Sequence, residues 1–239
     1  MTFEINEQGL TAPTEVSPGL INVTLKNSGQ APHVLFVSWL AEGVTAQAIL
    51  DAPPPGDPNK SNVVGGLFMT PGLRFEVMLN FTANRHYFVS EVFVEKPHFV
   101  EFAASGKATV NAAPSPSVTI EAAEFAYVMP DKMQAGAQWW QVTNKGKQTH
   151  DLGIYKLEGD QTLAKVQAQL SAGDEKEQAP PAVTTIPSWA VGAGQTTWIQ
   201  FDFPAGEYAV LCRVPDFSTT PPGPDHWHKG MVRTFTVVK

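Results

Sequence analysis

The stretch Gly206-Glu-Tyr-Ala-Val-Leu-Cys212 reads as a strand. Its period of two places Tyr208, Val210 and Cys212 on one face, and it ends on the only cysteine of the chain. Downstream, His226-Trp-His-Lys-Gly-Met231 stands just before a final predicted strand, Thr234-Phe-Thr-Val237. Upstream, Asn144-Lys-Gly-Lys-Gln-Thr-His150 delivers a histidine to the start of another. One loop and one distant strand thus offer two imidazoles, a thiol and a thioether. That is the donor set of a trigonal copper site with a weak axial sulfur, and its soft ligands favour Cu(I). Zinc suits it less, since zinc takes closed tetrahedral Cys and His sets.

The rest of the chain repeats this half. Displaced by 117 residues, Thr2–Leu35 aligns with Thr119–Leu152 without a gap and with nine identities. They are Thr2/Thr119, Glu4/Glu121, Glu7/Glu124, Pro13/Pro130, Gly19/Gly136, Asn27/Asn144, Gly29/Gly146, His33/His150 and Leu35/Leu152. Beyond this block the copies stay parallel with loop insertions. Each has a short helical stretch (Thr45–Leu50, Leu163–Leu170) followed by prolines (Ala52-Pro-Pro-Pro, Ala179-Pro-Pro) and an alternating strand (Phe75–Leu79, Thr197–Phe201). Tyr87 precedes Glu91 as Tyr208 precedes Cys212. Closing strands are expected at Ala108-Thr-Val and Thr234-Phe-Thr-Val, with a proline-stiffened linker, Ala112-Ala-Pro-Ser-Pro-Ser, between the copies. The fold class is therefore all-β, two tandem Greek-key β-sandwich domains, with the boundary between residues 113 and 114.

Composition agrees. At 239 residues, 43% hydrophobic and 16% charged, the chain has the apolar material for two small cores. A net charge of −7 argues against nucleic acid as a partner, because phosphate neutralisation needs clustered Lys and Arg. No apolar run is long enough for a transmembrane segment, and the opening Met-Thr-Phe-Glu-Ile lacks a signal's basic and apolar regions. The sequence is expected to be either cytoplasmic or a mature form without its signal. A single cysteine excludes a disulfide within the chain.

The second half resembles the cupredoxin superfamily, the plastocyanin, azurin and nitrite-reductase group. The family patterns G-x-Y-x-x-x-C, then His, four residues, and Met-x-x-x-x-x-V are met by Gly206, Tyr208, Cys212, His226, Met231 and Val237. The resemblance implies one type 1 (blue) copper on His150, Cys212, His226 and Met231, with His228 as the alternative to His226. Thirteen residues, Arg213 to Asp225, separate the cysteine from His226, a proline-rich loop longer than in the small carriers. Family habit further implies an edge of His226 open to a partner, apolar cover from Trp227 and Phe217, and a periplasmic, extracellular or cell-surface setting. Asp151 and Arg213, each directly after a ligand, are expected to form an ionic tie between the ligand segments, the alternative being two solvated charges.

In the first half Glu91 stands where Cys212 does, and counting back from Ala108-Thr-Val puts Ala104 at the place of Met231, so no blue site is expected there. His33, Glu91 and His98 offer a two-histidine, one-carboxylate set for a harder metal, the alternative being a copy that keeps no metal. The histidine pairs that hold a catalytic second copper are absent around Cys212. The expected role is thus one-electron transfer to a redox protein partner rather than catalysis. Copper delivery and a metal-free interaction module are the alternatives.

Overall fold

The computed structural model describes residues 1–52, 57–173 and 184–239. The prolines expected after the two helices lie outside the described residues. In the first half the strands are β1 (Thr2–Asn6), β2 (Gly9–Thr11), β3 (Glu15–Val16), β4 (Gly19–Asn27), β5 (His33–Leu40), β6 (Ser61–Met69), β7 (Arg74–Phe81), β8 (Arg85–Glu91) and β9 (Phe99–Ala104). In the second half they are β10 (Val118–Ala123), β11 (Ala126–Val128), β12 (Lys132–Gln134), β13 (Gly136–Asn144), β14 (His150–Leu157), β15 (Thr184–Val191), β16 (Thr196–Phe203), β17 (Gly206–Leu211) and β18 (Val232–Val238). Helices α1 (Ala46–Leu50) and α2 (Leu163–Gly173) occupy the expected crossovers. Thr45 caps α1, its hydroxyl accepting from the Ala48 amide at 3.2 Å.

Period-two patterning builds a sandwich. Val118, Ile120 and Ala122 of β10 point inward while Thr119 and Glu121 face water. Among the described residues the strands form an eight-stranded sheet, β11-β10-β13-β16-β7-β4-β1-β2, and a ten-stranded sheet, β12-β18-β17-β14-β15-β6-β5-β8-β9-β3. One apolar cluster lies between them, running from Phe3 and Phe81 through Leu67 and Trp189 to Trp140 and Phe235. Both helices lie on the outer face of the larger sheet: α2 packs on Tyr155, Leu211 and Trp227, and α1 on Leu40 and Phe88.

Both sheets run unbroken across the two halves, which the sequence reading does not anticipate. The seam consists of β6 against β15 and β7 against β16, each antiparallel. Leu35 pairs with Leu67 as Leu152 pairs with Trp189, so Leu67 and Trp189 are counterparts, and at the seam they face each other. By the same reasoning Val77 and Ile199 are counterparts, four residues from Phe81 and Phe203, and they too pair with each other. A position paired with its own counterpart marks a local two-fold axis, so the halves are arranged as an isologous dimer on one chain.

The closing strand of the first half is β9, not Ala108-Thr-Val. Strand β9 has neighbours on both sides, β8 and β3. Of the later segment, Thr109 makes only an isolated bridge to Gly19, and Val110 is 96% exposed, with nothing to hold it against a sheet.

Candidate metal centre

The repeated residues build the same loop in both halves. In the second, the Asn144 side chain donates to the carbonyls of Gln148 (2.7 Å) and Val191 (2.9 Å) and accepts from the Gly146 amide (2.8 Å). The Glu124 carboxylate accepts from the amides of Lys147 and Gln148. In the first, Asn27 donates to Ala31 (2.9 Å) and Met69 (3.1 Å) and accepts from Gly29, while Glu7 takes the amides of Gln30 and Ala31. Glycine leaves room for these bonds: a Cβ at Gly29 or Gly146 would lie 2.6 Å from the Glu7 or Glu124 carboxylate and push it aside. Loop closure delivers His33 and His150 to the first residue of β5 and β14.

Three donors of the second half converge. His150 Nδ1 lies 3.1 Å from His226 Nδ1, Cys212 Sγ lies 3.3 Å from His226 Nδ1, and Sγ lies 3.9 Å from His150 Nδ1. This is the one group of three such side chains, among the described residues, whose donor atoms all lie within 4.8 Å of one another. Metal–nitrogen and metal–sulfur bonds of about 2.0–2.3 Å span such separations. Met231 is fully buried beside Cys212; its carbonyl accepts from the Cys212 amide and its amide donates to the His226 carbonyl, both at 3.1 Å. His228 is not brought in. It is exposed and stacks on Trp227, with ring centroids 3.5 Å apart.

The long loop folds inward over the site. The amides of His226 and Trp227 bond back to Val214 and Cys212, and Asp216 pairs across the loop with Pro224. Asp216 anchors it further, accepting from Gln148 (2.9 Å), the Ser218 amide (2.9 Å) and Lys229. The side-chain bond from Lys229 comes first among the causes that hold the Asp216 carboxyl far below the usual range.

The expected open edge of His226 is therefore absent: its side chain is fully buried. The cover is Phe125, in a T-shaped contact with His226 at 5.1 Å between centroids, with Lys229 Nζ 4.7 Å from the Phe125 ring centroid. Phe125 follows Glu124 in the β10–β11 hairpin, and the sequence reading missed it. Trp227 instead packs under α2.

Asp151 and Arg213 stand together, with Nη2 3.5 Å from Oδ2. The Asp151 amide donates to Cys212 Sγ (3.3 Å), its Oδ1 accepts from Gly153 (2.9 Å), and its carbonyl accepts from Tyr127. Burial raises the Asp151 carboxyl, and Arg213 counters it.

A buried histidine enters at the start of one strand, a cysteine follows the end of the strand antiparallel to it, and both lie in a two-sheet sandwich duplicated about an axis. The fold is cupredoxin-like. No family model and no curated protein matches this cupredoxin-like chain. Among solved structures it is similar to auracyanin B, at 21% identity over 54% of this chain and 94% of that one, TM-score 0.36. It is likewise similar to a dithionite-reduced auracyanin from the photosynthetic bacterium Roseiflexus castenholzii, at 22% identity over 53% and 100%, TM-score 0.37. Over 100% of its length it is similar to a copper-containing nitrite reductase from Thermus scotoductus, at 13% identity over 61% of that chain, TM-score 0.27.

Burial also governs protonation among Cys212, His226 and His150. It pushes the Cys212 thiol up and the His226 imidazole down, and it lowers His150 to about 4, with His226 adding to the effect and Glu124 opposing it. The fold thus favours neutral His150. The stability this contributes is complete above the unfolded value near 6.5 and is lost as pH falls from there to about 4. We expect protein prepared without copper to lose about 3 kcal/mol through this residue across that window. The measure is the urea midpoint of wild type minus that of His150→Gln at each pH. A difference that does not change with pH contradicts the expectation.

Ladder register corrects the counterpart of Met231. Phe235 pairs with Tyr208 as Phe102 pairs with Tyr87, so the position four residues before Phe102, His98, corresponds to Met231, rather than Ala104. A backbone bond confirms the correspondence: the Glu91 amide donates to the His98 carbonyl (2.8 Å) as the Cys212 amide does to that of Met231. Ala104 is not the counterpart because Ala108-Thr-Val is not the closing strand.

Proposed function

We propose that the chain is an electron-transfer protein using one type 1 copper, held by His150, Cys212, His226 and Met231 in a domain spanning 114–239. Residues 1–113 form a related domain without a blue-copper ligand set. The observation that carries this reading is the convergence of the two Nδ1 atoms and Sγ in a closed interior, the four side chains being at most 1% exposed. Copper bound there supplies a one-electron couple between Cu(I) and Cu(II). The chain's part is to hold the donors still. The Asn144 and Glu124 bonds fix the His150 loop, the Asp151 amide holds Sγ, and Asp216 and Lys229 lock the His226 loop over it. Phe125 excludes water, so charge leaves through covered side chains rather than a bare imidazole edge.

Such burial favours retention over delivery. No helix among the described residues is long and apolar enough to cross a membrane. A periplasmic or extracellular setting with a redox protein partner goes with this reading. The test is to add one equivalent of Cu(II) to the full chain. The expected result is an intense blue absorption, a reversible one-electron couple, and copper retained for hours against a chelator. A colourless product overturns the site, and loss of copper within minutes overturns the carrier role in favour of delivery.

A further inference from the structure

The first half carries a second constellation at the same places in the fold. His33 corresponds to His150, Glu91 to Cys212 and His98 to Met231, so three of the four ligand positions hold a nitrogen or oxygen donor. His33 Nδ1 lies 2.6 Å from Glu91 Oε1, and His98 Nδ1 lies 3.0 Å from Glu91 Oε2. His33 and Glu91 are buried, at 8% and 5% exposure, and His33 Nε2 is buried without a hydrogen-bond partner. Both imidazoles therefore present the same edge to one carboxylate, and His33 makes no hydrogen bond through its other nitrogen. Glu7 lies nearby, as Glu124 does beside His150.

We propose that His33, Glu91 and His98 bind a divalent cation of the zinc class, through Nδ1 of each histidine and the Glu91 carboxylate. The donor types decide the metal. Replacing thiolate and thioether by carboxylate and imidazole removes both soft ligands, and two histidines with one glutamate form a zinc set that leaves a position open. Glu91 supplies the negative charge, and its two oxygens already face the two imidazoles. The shorter connection allows it. Only six residues, Val92 to Pro97, join Glu91 to His98, against eighteen between Cys212 and Met231, so no long loop folds over this site. The donor atoms of the three residues do not all lie within 4.8 Å of one another, so binding requires the His98 ring, 43% exposed, to turn toward the ion.

The inference does not rest on copper in the second half, and its test separates the two. The full chain carrying Cys212→Ser and His150→Ala together, which disables the second-half set, is dialysed against zinc chloride. The expected result is one equivalent of bound zinc and a raised thermal midpoint. Adding His98→Ala should weaken zinc at least tenfold and abolish the shift, and adding Glu91→Gln should do the same. Because Glu91 is buried and its replacement costs stability on its own, the His98→Ala result decides. No zinc in the parent, or zinc held equally well after His98→Ala, overturns the proposal.

Discussion

Cys212→Ser is expected to remove entirely the blue absorption proposed for the copper-loaded chain while leaving a folded protein. The intense colour of such sites arises from charge transfer out of a copper-bound thiolate, and a serine hydroxyl stays protonated and hard where a thiol is deprotonated by the metal. His150 and His226 still present two Nδ1 atoms 3.1 Å apart, so the variant is expected to bind copper weakly and without intense colour. Structural damage is small. Serine is nearly isosteric and retains an acceptor for the Asp151 amide, which now reaches Sγ at 3.3 Å. The side chain sits in the core at 0% exposure, so a cost of about 1 kcal/mol is expected. Visible and EPR spectra after Cu(II) addition, with a urea curve alongside, check both parts. A variant as blue as its parent would remove Cys212 from the site.

The largest expected loss of stability comes from Trp189→Ala. Trp189 is wholly buried at the seam, stacked on Phe75 of the other half with centroids 6.1 Å apart, and its indole donates to Thr197 Oγ1 at 3.0 Å. It fills a space that exists only because residue 65 is glycine: a Cβ at Gly65 would come within 2.3 Å of the indole. Truncation opens a cavity in the shared core and leaves Thr197 without its donor, a combination that costs about 3–5 kcal/mol. For a chain of this length that is a fall of roughly 10 °C in melting temperature. Trp198 is the control. It belongs to the same seam, paired with Met78, but faces outward and is only partly buried, so Trp198→Ala should cost about 1 kcal/mol. Equal costs for the two would mean that the seam is not held from its interior.

Much of this was legible in the chain, and the reasons are local. Strand alternation at Val118–Ala122 and Tyr208–Cys212 is a period any reader can count. The identities Glu7/Glu124, Asn27/Asn144 and Gly29/Gly146 survive because one carboxylate, one amide and one missing side chain shape each loop, so the repeat pointed at the site before its geometry was known. What was not legible is what depends on register or on the path of a loop. The place of His98 follows from Phe102 lying across from Tyr87, which no count from the chain's end reveals. The closure over His226 depends on Asp216 meeting Gln148 and Lys229, contacts between one residue of the proline-rich loop and two outside it. The seam is hidden for a similar reason, since only two ladder pairs per sheet carry it and they leave no periodic mark.

The meeting of Leu67 with Trp189 on the axis has an evolutionary reading. Two separate identical subunits would each bring the same residue there, and two indoles would demand more volume than one core offers, while two leucines would leave it underfilled. A larger residue on one side and a smaller one on the other is closed to two identical subunits and open to copies joined on one chain. Such a lock, once formed, works as a ratchet: neither half can revert to self-pairing without first rebuilding its own edge, and either half, made alone, would expose naked strands to any passing chain.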